Sequence, residues 1–205
     1  LALTFVIRAY DRTVSSLQVT LAEHQRTREE IVQRNRELSV LYAIRRASAQ
    51  SLDLQGVLDS GLESTLEAMG LEAGGIVLLE PDGQTMTLRA HRGLSDEFVQ
   101  ATARMKVGEG MSGRAAAERK PVVLDVPDYP SERLAPFVVG QGFQTLASTP
   151  LLSGGEVLGA LSLATRRPRA FSAQEIDLLT GIGELLGGAA QNARLYDGVQ
   201  RQLAE

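Results

Sequence analysis

The feature that most constrains this chain is its first quarter. Residues 1–48 contain neither proline nor glycine, and a run of that length without a breaker reads as one long helix. Its apolar positions are spaced more sharply than amphipathicity alone requires. Leu3, Ile7, Tyr10, Val14, Leu17, Leu21, His24, Arg28, Ile31, Asn35, Leu38 and Tyr42 follow one another at alternating steps of four and three, the seam of a heptad repeat. A lone helix of this kind is marginal in water. A partner helix is therefore expected, since each buried Leu or Ile gains roughly 1.5–3 kcal/mol on leaving water. Three seam positions are polar: His24, Arg28 and Asn35. Either they are flaws tolerated by loose packing, or they weaken the seam so that a signal can shift helix rotation or register. An Asn at such a position favours two parallel strands at a cost in stability. Gln25, Arg26, Thr27 and Arg28 follow His24 with no acid among them, so His24 reads as a seam filler and not as a phosphoacceptor.

Composition narrows the chemistry. The chain has 205 residues, 43% of them hydrophobic and 22% charged, enough apolar matter for a core and too much for disorder. Net charge is −4 with a pI near 5.4, which argues against binding nucleic acid through phosphate contacts. There is no cysteine and there are two histidines, His24 and His91. Disulfides, thiolate metal sites, cysteine nucleophiles and a multi-histidine metal site are thereby excluded. No cofactor is expected. No apolar run reaches the length of a membrane span. The chain opens on Leu1 and ends within a polar helical pattern, and reads as a segment of a longer protein.

After a break at Ser48–Asp53, Asp53 is a plausible N-cap for a helix whose stripe is Leu54, Val57, Leu58, Leu62, Leu66 and Met69. The period then changes. Gly75–Glu80 and Thr85–His91 flank the turn Pro81-Asp82-Gly83-Gln84, a hairpin. Ser95–Arg104 reads as a short helix and Pro121–Val126 as a buried strand. Gln144–Leu152 and Glu156–Thr165 form a second hairpin across Ser153-Gly154-Gly155, with Val157–Leu163 a central strand covered on both faces. This is an α+β pattern: an antiparallel sheet with helices on one face. Ser172-Ala173-Gln174-Glu175 is a capping box behind Phe171. The helix it opens carries a second seam at Leu178, Ile182, Leu185, Ala189, Asn192, Tyr196, Val199 and Leu203. Small residues (Gly183, Gly187, Gly188, Ala189, Ala190) would permit close helix approach, and the simplest assembly is a dimeric bundle of the first and last helices.

The glycines Gly108, Gly110 and Gly113 match a dinucleotide pattern by letter. They lack the preceding parallel βαβ context that pattern needs, and read as a tight turn into a helix over Ser112–Glu118. No nucleophile stands beside a base, so the segment is not expected to be an enzyme.

The order of motifs resembles a GAF domain, the small-molecule-sensing relative of the PAS fold. The matching stretches are GEGMSGRAAA (108–117), KPVVLD (120–125), LASTPLL (146–152), VLGALSL (157–163), FSAQEIDLL (171–179) and NARLY (192–196). The upstream helix is similar to the signalling helix of bacterial sensor histidine kinases, and Arg8–Leu17 to the second helix of a HAMP linker. The resemblance implies three parts: a signalling coiled coil over 1–48, a GAF domain over 49–190 and an exit helix over 191–205. It further implies a membrane-anchored parent with this segment on the cytoplasmic side, and an output domain in cis beyond Glu205. That output is a kinase or, alternatively, another signalling unit such as a cyclic-di-nucleotide enzyme. The homodimer interface would use Ile7, Val14, Leu17, Leu21, Ile31, Asn35, Leu38, Ile182, Leu185, Ala189, Asn192 and Tyr196. The pocket expected from the family lies on one face of the sheet, under the loops and short helices between 105 and 143. Its wall would come from Met111, Asp125, Tyr129, Phe137, Phe143, Thr145 and Ser148, around an uncharged or weakly polar ligand. The alternative is that these side chains fill their own space and the domain is a ligandless relay. Relatives that reduce methionine sulfoxide or attach a bilin use cysteines. Haem-binding relatives carry a histidine in the loop matching Tyr129–Gln144, and cyclic-nucleotide binders an Asn-Lys-Phe-Asp-Glu signature; neither is present. The loop Pro127–Gly142, with three prolines and aromatic neighbours, reads as a lid without regular structure of its own.

Overall fold

The computed structural model describes residues 18, 23–32, 34, 35, 37–42, 44 and 53–204, with side chains in the last helix described as far as Tyr196. Ile7, Val14, Leu17 and Leu21, the HAMP-like stretch 8–17 and the expected break at 48–52 lie outside the described residues. The chain divides into two units, one ending at Ser39 and one starting at Val40.

In the first unit every described residue is helical. Arg34 Nη1 and Glu37 Oε2 pair at 3.0 Å across one turn. Ser39 Oγ donates to the Asn35 carbonyl at 2.8 Å. His24, Arg28 and Asn35 are exposed, and so are Ile31 and Leu38, at 56% and 42%.

The second unit begins with helical residues whose apolar side chains are divided. Tyr42 is exposed, whereas Val40 and Ile44 are buried in the core of the unit, with Leu41 packed against it. Helix α1 (Leu54–Met69) buries Val57, Leu58, Leu62, Leu66 and Met69. Asp53 holds the N-cap position without a side-chain cap bond, and left-handed Gly70 ends the helix. The Gly70 N–H reaches the Glu67 carbonyl and the Leu71 N–H the Leu66 carbonyl, a Schellman motif.

Six strands follow: β1 (Ala73–Leu79), β2 (Thr85–Arg92), β3 (Arg104–Lys106), β4 (Val122–Asp125), β5 (Thr145–Ser153) and β6 (Glu156–Thr165). They form one sheet in the order β3-β2-β1-β6-β5-β4, antiparallel at every pairing. Asp82 shapes the β1–β2 turn, accepting the Gln84 and Thr85 N–H groups at 2.9 and 2.8 Å and the Thr85 hydroxyl at 2.6 Å. Those bonds, the Thr85 hydroxyl first, pull its carboxyl down to about 2. The β5–β6 turn is Gly154-Gly155, both at positive φ, as a two-residue hairpin of the primed type requires.

Strand alternation sends the two faces to different companions. Ile76, Leu78, Ala147, Leu151, Leu161 and Leu163 face α1 and the long helix α5 (Ala173–Ala204). Val77, Leu146, Ala160 and Ala164 face the other way, towards α2 (Asp96–Thr102), α3 (Gly110–Glu118) and α4 (Ala135–Gly140). The element pattern by itself put helices on one face, and that is corrected: the second face carries three short ones, two of them, α3 and α4, within the 105–143 stretch where the family resemblance implied short helices. Two smaller corrections share a cause in edge position. Arg104 starts the edge strand β3 and does not belong to α2. Strand β4, expected to be buried, pairs only with β5 and leaves Val123 at 40% exposure.

The capping box forms as read. The Ser172 N–H donates to Glu175 Oε2 at 2.8 Å and the Glu175 N–H to Ser172 Oγ at 3.2 Å. Burial works against ionisation of Glu175, but the bonds from Ser172 and Arg169 outweigh it and lower its pKa. The seam read along α5 needs correction in its first half. Ile182 is fully buried within the unit and Leu178 and Ala189 nearly so, which leaves Ile182 no surface for a second chain. Leu185 is half-buried, and Asn192 and Tyr196 are exposed. The glycines also serve a different neighbour. A Cβ at Gly183 would lie 2.4 Å from the Pro150 carbonyl oxygen, and one at Gly187 2.4 Å from that of Leu152. They let α5 approach strand β5 of its own sheet, not a partner helix.

Candidate functional site

A cavity of about 50 Å³ lies between the second face of the sheet and the short helices. Its floor is Gly74, Gly75 and Val77 of β1 with Ser162, Leu163 and Ala164 of β6; its walls include Phe98 and Thr102 of α2, Met111 and Ser112 of α3, Tyr129 and Phe143. A second space, about 380 Å³, lies beside it between α2 and α4, lined by Ser95, Glu97, Phe98, Pro136, Phe137, Gly140 and Gln141. Phe98 belongs to both. Its ring meets Phe143 edge-on at 6.3 Å between centroids, and the Arg166 guanidinium lies 5.0 Å from the Phe143 centroid on its face.

The glycine motif is used as a turn. Gly108 and Gly110 take positive φ, the Gly108 N–H donates to the Gly113 carbonyl at 2.8 Å, and helix α3 starts at Gly110. A Cβ at Gly110 would sit 2.7 Å from the Tyr129 hydroxyl, so glycine is what lets Tyr129 reach the start of α3. There the phenol oxygen accepts the Met111 N–H, but desolvation dominates and pushes its pKa up to about 12.

The expected lid has more structure than its prolines suggested. A 3-10 turn spans Val126–Asp128, and α4 places Pro136 in its first turn, where the missing N–H would have had no intrahelical partner. Two polar latches tie the lid to α2. Gln141 Nε2 donates to Ser95 Oγ at 2.6 Å while its Oε1 accepts the Ser95 N–H at 3.2 Å. Arg133 bonds Glu109 Oε1 at 2.6 Å and the Ala101 carbonyl at 3.0 Å. The Arg133 guanidinium holds the Glu109 carboxyl below its ordinary range against the opposing effect of burial.

Of the seven residues read as pocket wall, Met111, Tyr129 and Phe143 meet at the inner cavity and Phe137 lines the outer cleft. Asp125 and Thr145 line neither; they bond each other at 2.9 Å where β4 and β5 pair. Ser148 stands behind the cavity, linked to Ser162 at 2.8 Å. The sequence reading missed Phe98, Ser112 and Ser162. Ser162 had a signal, as the lone hydroxyl within the apolar run of β6. The place of Phe98 depends on how α2 lands on the sheet, and no local pattern carries that. Among the described residues no group of histidine, cysteine, aspartate and glutamate is placed to hold a metal ion, and no helix is long and apolar enough to cross a membrane.

Comparison with known proteins agrees with this architecture. The Nif-specific regulatory protein of Azospirillum brasilense is 28% identical over 171 residues, 79% of this chain and 26% of that protein. The chain thus spans about a quarter of the length of this curated relative. The GAF domain of a phosphoenolpyruvate-protein phosphotransferase from Coxiella burnetii superposes with a TM-score of 0.69 at 22% identity, over 79% of this chain and 96% of that one. A domain of a putative two-component sensor histidine kinase from Sinorhizobium meliloti 1021 does so with a TM-score of 0.57 at 28% identity, over 69% and 92%. The GAF domain profile matches residues 51–191. That match takes in the whole sheet and the cavity beneath its short helices, and by it the chain belongs to the GAF domain family.

Proposed function

We propose that this GAF domain is the sensory relay of a larger bacterial sensor histidine kinase, acting as a homodimer joined through its upstream and exit helices. In this reading the segment regulates and does not catalyse. Chemistry belongs to an output domain in cis, and the parent is membrane-anchored with this segment on the cytoplasmic side. The observation that carries the reading is the seating of Val40 and Ile44 in the same buried core as α1 and α5. The chain enters and leaves the domain through one packed layer, so a displacement of the sheet reaches both helices together. Exposed Ile31, Leu38 and Tyr42 at heptad spacing, with Leu195 and Tyr196 exposed on α5, support pairing with a second copy. The Sinorhizobium likeness supports a kinase output. The Azospirillum relative favours a second reading, in which the same module precedes a transcriptional output.

Sedimentation tests the dimer. The chain is expected to be dimeric at high micromolar concentration, and Leu17→Arg to weaken it while circular dichroism keeps its strand signal. Asn35→Val is expected to tighten association and admit other oligomers. A wild-type monomer overturns the reading. The parent chain beyond Glu205 separates the outputs: an ATP-binding kinase unit upholds the first, a DNA-binding unit the second.

A further inference from the structure

Among the described residues, one buried side-chain polar atom has no hydrogen-bond partner, Thr149 Oγ1. Thr149 is 1% exposed. It lies on β5 between Ala147 and Leu151 and opposite Leu161, all three in the apolar layer beneath α1 and α5. Valine has the same shape and would fill the place without penalty, whereas an unmet buried hydroxyl bears its full desolvation. The place of that penalty is specific. A Cβ at Gly183 would stand 3.3 Å from Thr149 Oγ1 and 2.4 Å from the Pro150 carbonyl oxygen, so the hydroxyl is pressed against bare helix backbone.

Helix backbone can satisfy a hydroxyl. A helical carbonyl keeps a second lone pair, and in this unit Gly61 accepts the Thr65 hydroxyl at 2.6 Å and Ile176 the Thr180 hydroxyl at 2.8 Å. What separates Thr149 from such a bond is a small motion of α5, and the glycines dictate its kind. Gly183 sits on Pro150 and Gly187 on Leu152. Four helical residues rise about 6 Å and two strand residues about 6.7 Å, so the two pairs match. A slide of one turn would drive Leu179 onto Pro150 or Gln191 onto Leu152, and is blocked. A roll about the helix axis is open, since neither glycine has a side chain to catch on the strand. About 25° of roll carries a Cα about 1 Å, on a cylinder of radius roughly 2.3 Å. The fully buried Leu179, Ile182 and Leu186 resist it, because they lose fit in the apolar layer as Thr149 gains a bond.

We infer that α5 has two seatings on β5, related by a roll on the line of Gly183 and Gly187, and that the Thr149 hydroxyl is the group that favours the rolled one. Thr149 is thus a positioning residue, which keeps the second seating within reach of the first. The inference deepens the relay reading above and rests on it for its purpose: a roll of the exit helix is a torque that a downstream unit can read.

The test is methyl relaxation-dispersion NMR of the whole chain, which reads exchange on the μs–ms timescale of helix shifts. The methyls of Thr149, Ile182 and Leu186 are expected to report one common exchange process. Thr149→Val is expected to lower the minor population by about tenfold, and Thr149→Ser, which keeps the hydroxyl, to retain it. Absence of exchange in the wild type overturns the inference, and that result depends on no variant's folding. Exchange that survives unchanged in Thr149→Val overturns it too, as does its loss in Thr149→Ser. A nuclear Overhauser contact between the Thr149 methyl and a long-lived water also overturns it, by giving the hydroxyl a solvent partner. Sedimentation of the same samples keeps the two readings apart. A dimer without exchange sinks only the roll, and a monomer with it sinks only the relay.

Discussion

On one face of the sheet, Leu58, Leu62, Leu161, Ile182 and Leu186 fill the space beneath two long helices with almost no exposed surface. On the other, helices of seven, nine and six residues enclose a cavity and are tied down by polar latches. Short helices contribute little stability of their own, and latches between half-exposed charges are worth about 1 kcal/mol or less. The first face is therefore suited to transmit a displacement intact and the second to yield to one. Low local stability is where binding motions are drawn from. The domain separates these duties by strand alternation alone, since neighbouring residues of one strand serve opposite faces.

The comparison is broken most directly in the aliphatic layer. Leu186→Ala is expected to cost about 2–5 kcal/mol in denaturant unfolding; a loss under about 1 kcal/mol would mean that this face is not the mechanical core. The glycines of α5 give a sharper pair. At Gly187 a Cβ would press on the Leu152 backbone, so Gly187→Ala is expected to destabilise by roughly 1–3 kcal/mol in spite of alanine's better helix propensity. At Gly188 nothing lies within 4 Å of such a Cβ, and Gly188→Ala is expected to stabilise by up to about 1 kcal/mol. Equal effects of the two would show that α5 does not lie against β5 as described.

On the yielding face, Arg133→Ala is expected to raise hydrogen exchange in α4 while global stability falls by less than about 1 kcal/mol. Acid should imitate it. The folded-state pKa of Glu109 is depressed below its ordinary 4.5, so its contribution is present above that value and is lost as pH falls through the lower folded value. Faster exchange in α4 at low pH, absent in Glu109→Gln, is the expected record. The smallest effect belongs to neither face. Asp82, with a folded pKa of about 2 against an ordinary 3.8, should keep the β1–β2 turn intact until pH falls below 3.8 and lose its contribution towards 2. A carboxyl titration by NMR with a midpoint near 3.8 would contradict the three hydrogen bonds it accepts.

Much of the fold was legible because it obeys short-range rules. The Asp82 turn, the Gly154-Gly155 hairpin, the Ser172–Glu175 capping box and the stripe of α1 each depend on residues within a few positions of one another. The site was legible in part. Met111, Tyr129 and Phe143 sit in or beside motifs and do line the cavity, while Asp125, within an equally conspicuous motif, and Thr145, beside one, bond each other where β4 and β5 pair. Helix α4 was hidden because proline-rich sequence reads as irregular, although proline in a first turn costs nothing there.

The amino-acid sequence alone determined five of the six strands, the long helices, the Asp82 and Gly154-Gly155 turns, the Ser172–Glu175 cap and the GAF identity, since spacing and local hydrogen-bonding chemistry decide these; strand β3 and helix α4 emerged only in the structure. Only the tertiary structure decided what each apolar stripe covers. A helical period marks a side as apolar without naming its neighbour. That is how Val40, Ile44 and Ile182 came to lie in the chain's own core, Gly183 and Gly187 against its own strand, and Phe98 between two spaces. Each of these placements is set by segments tens of residues away in the chain, through close packing that admits one arrangement at a time.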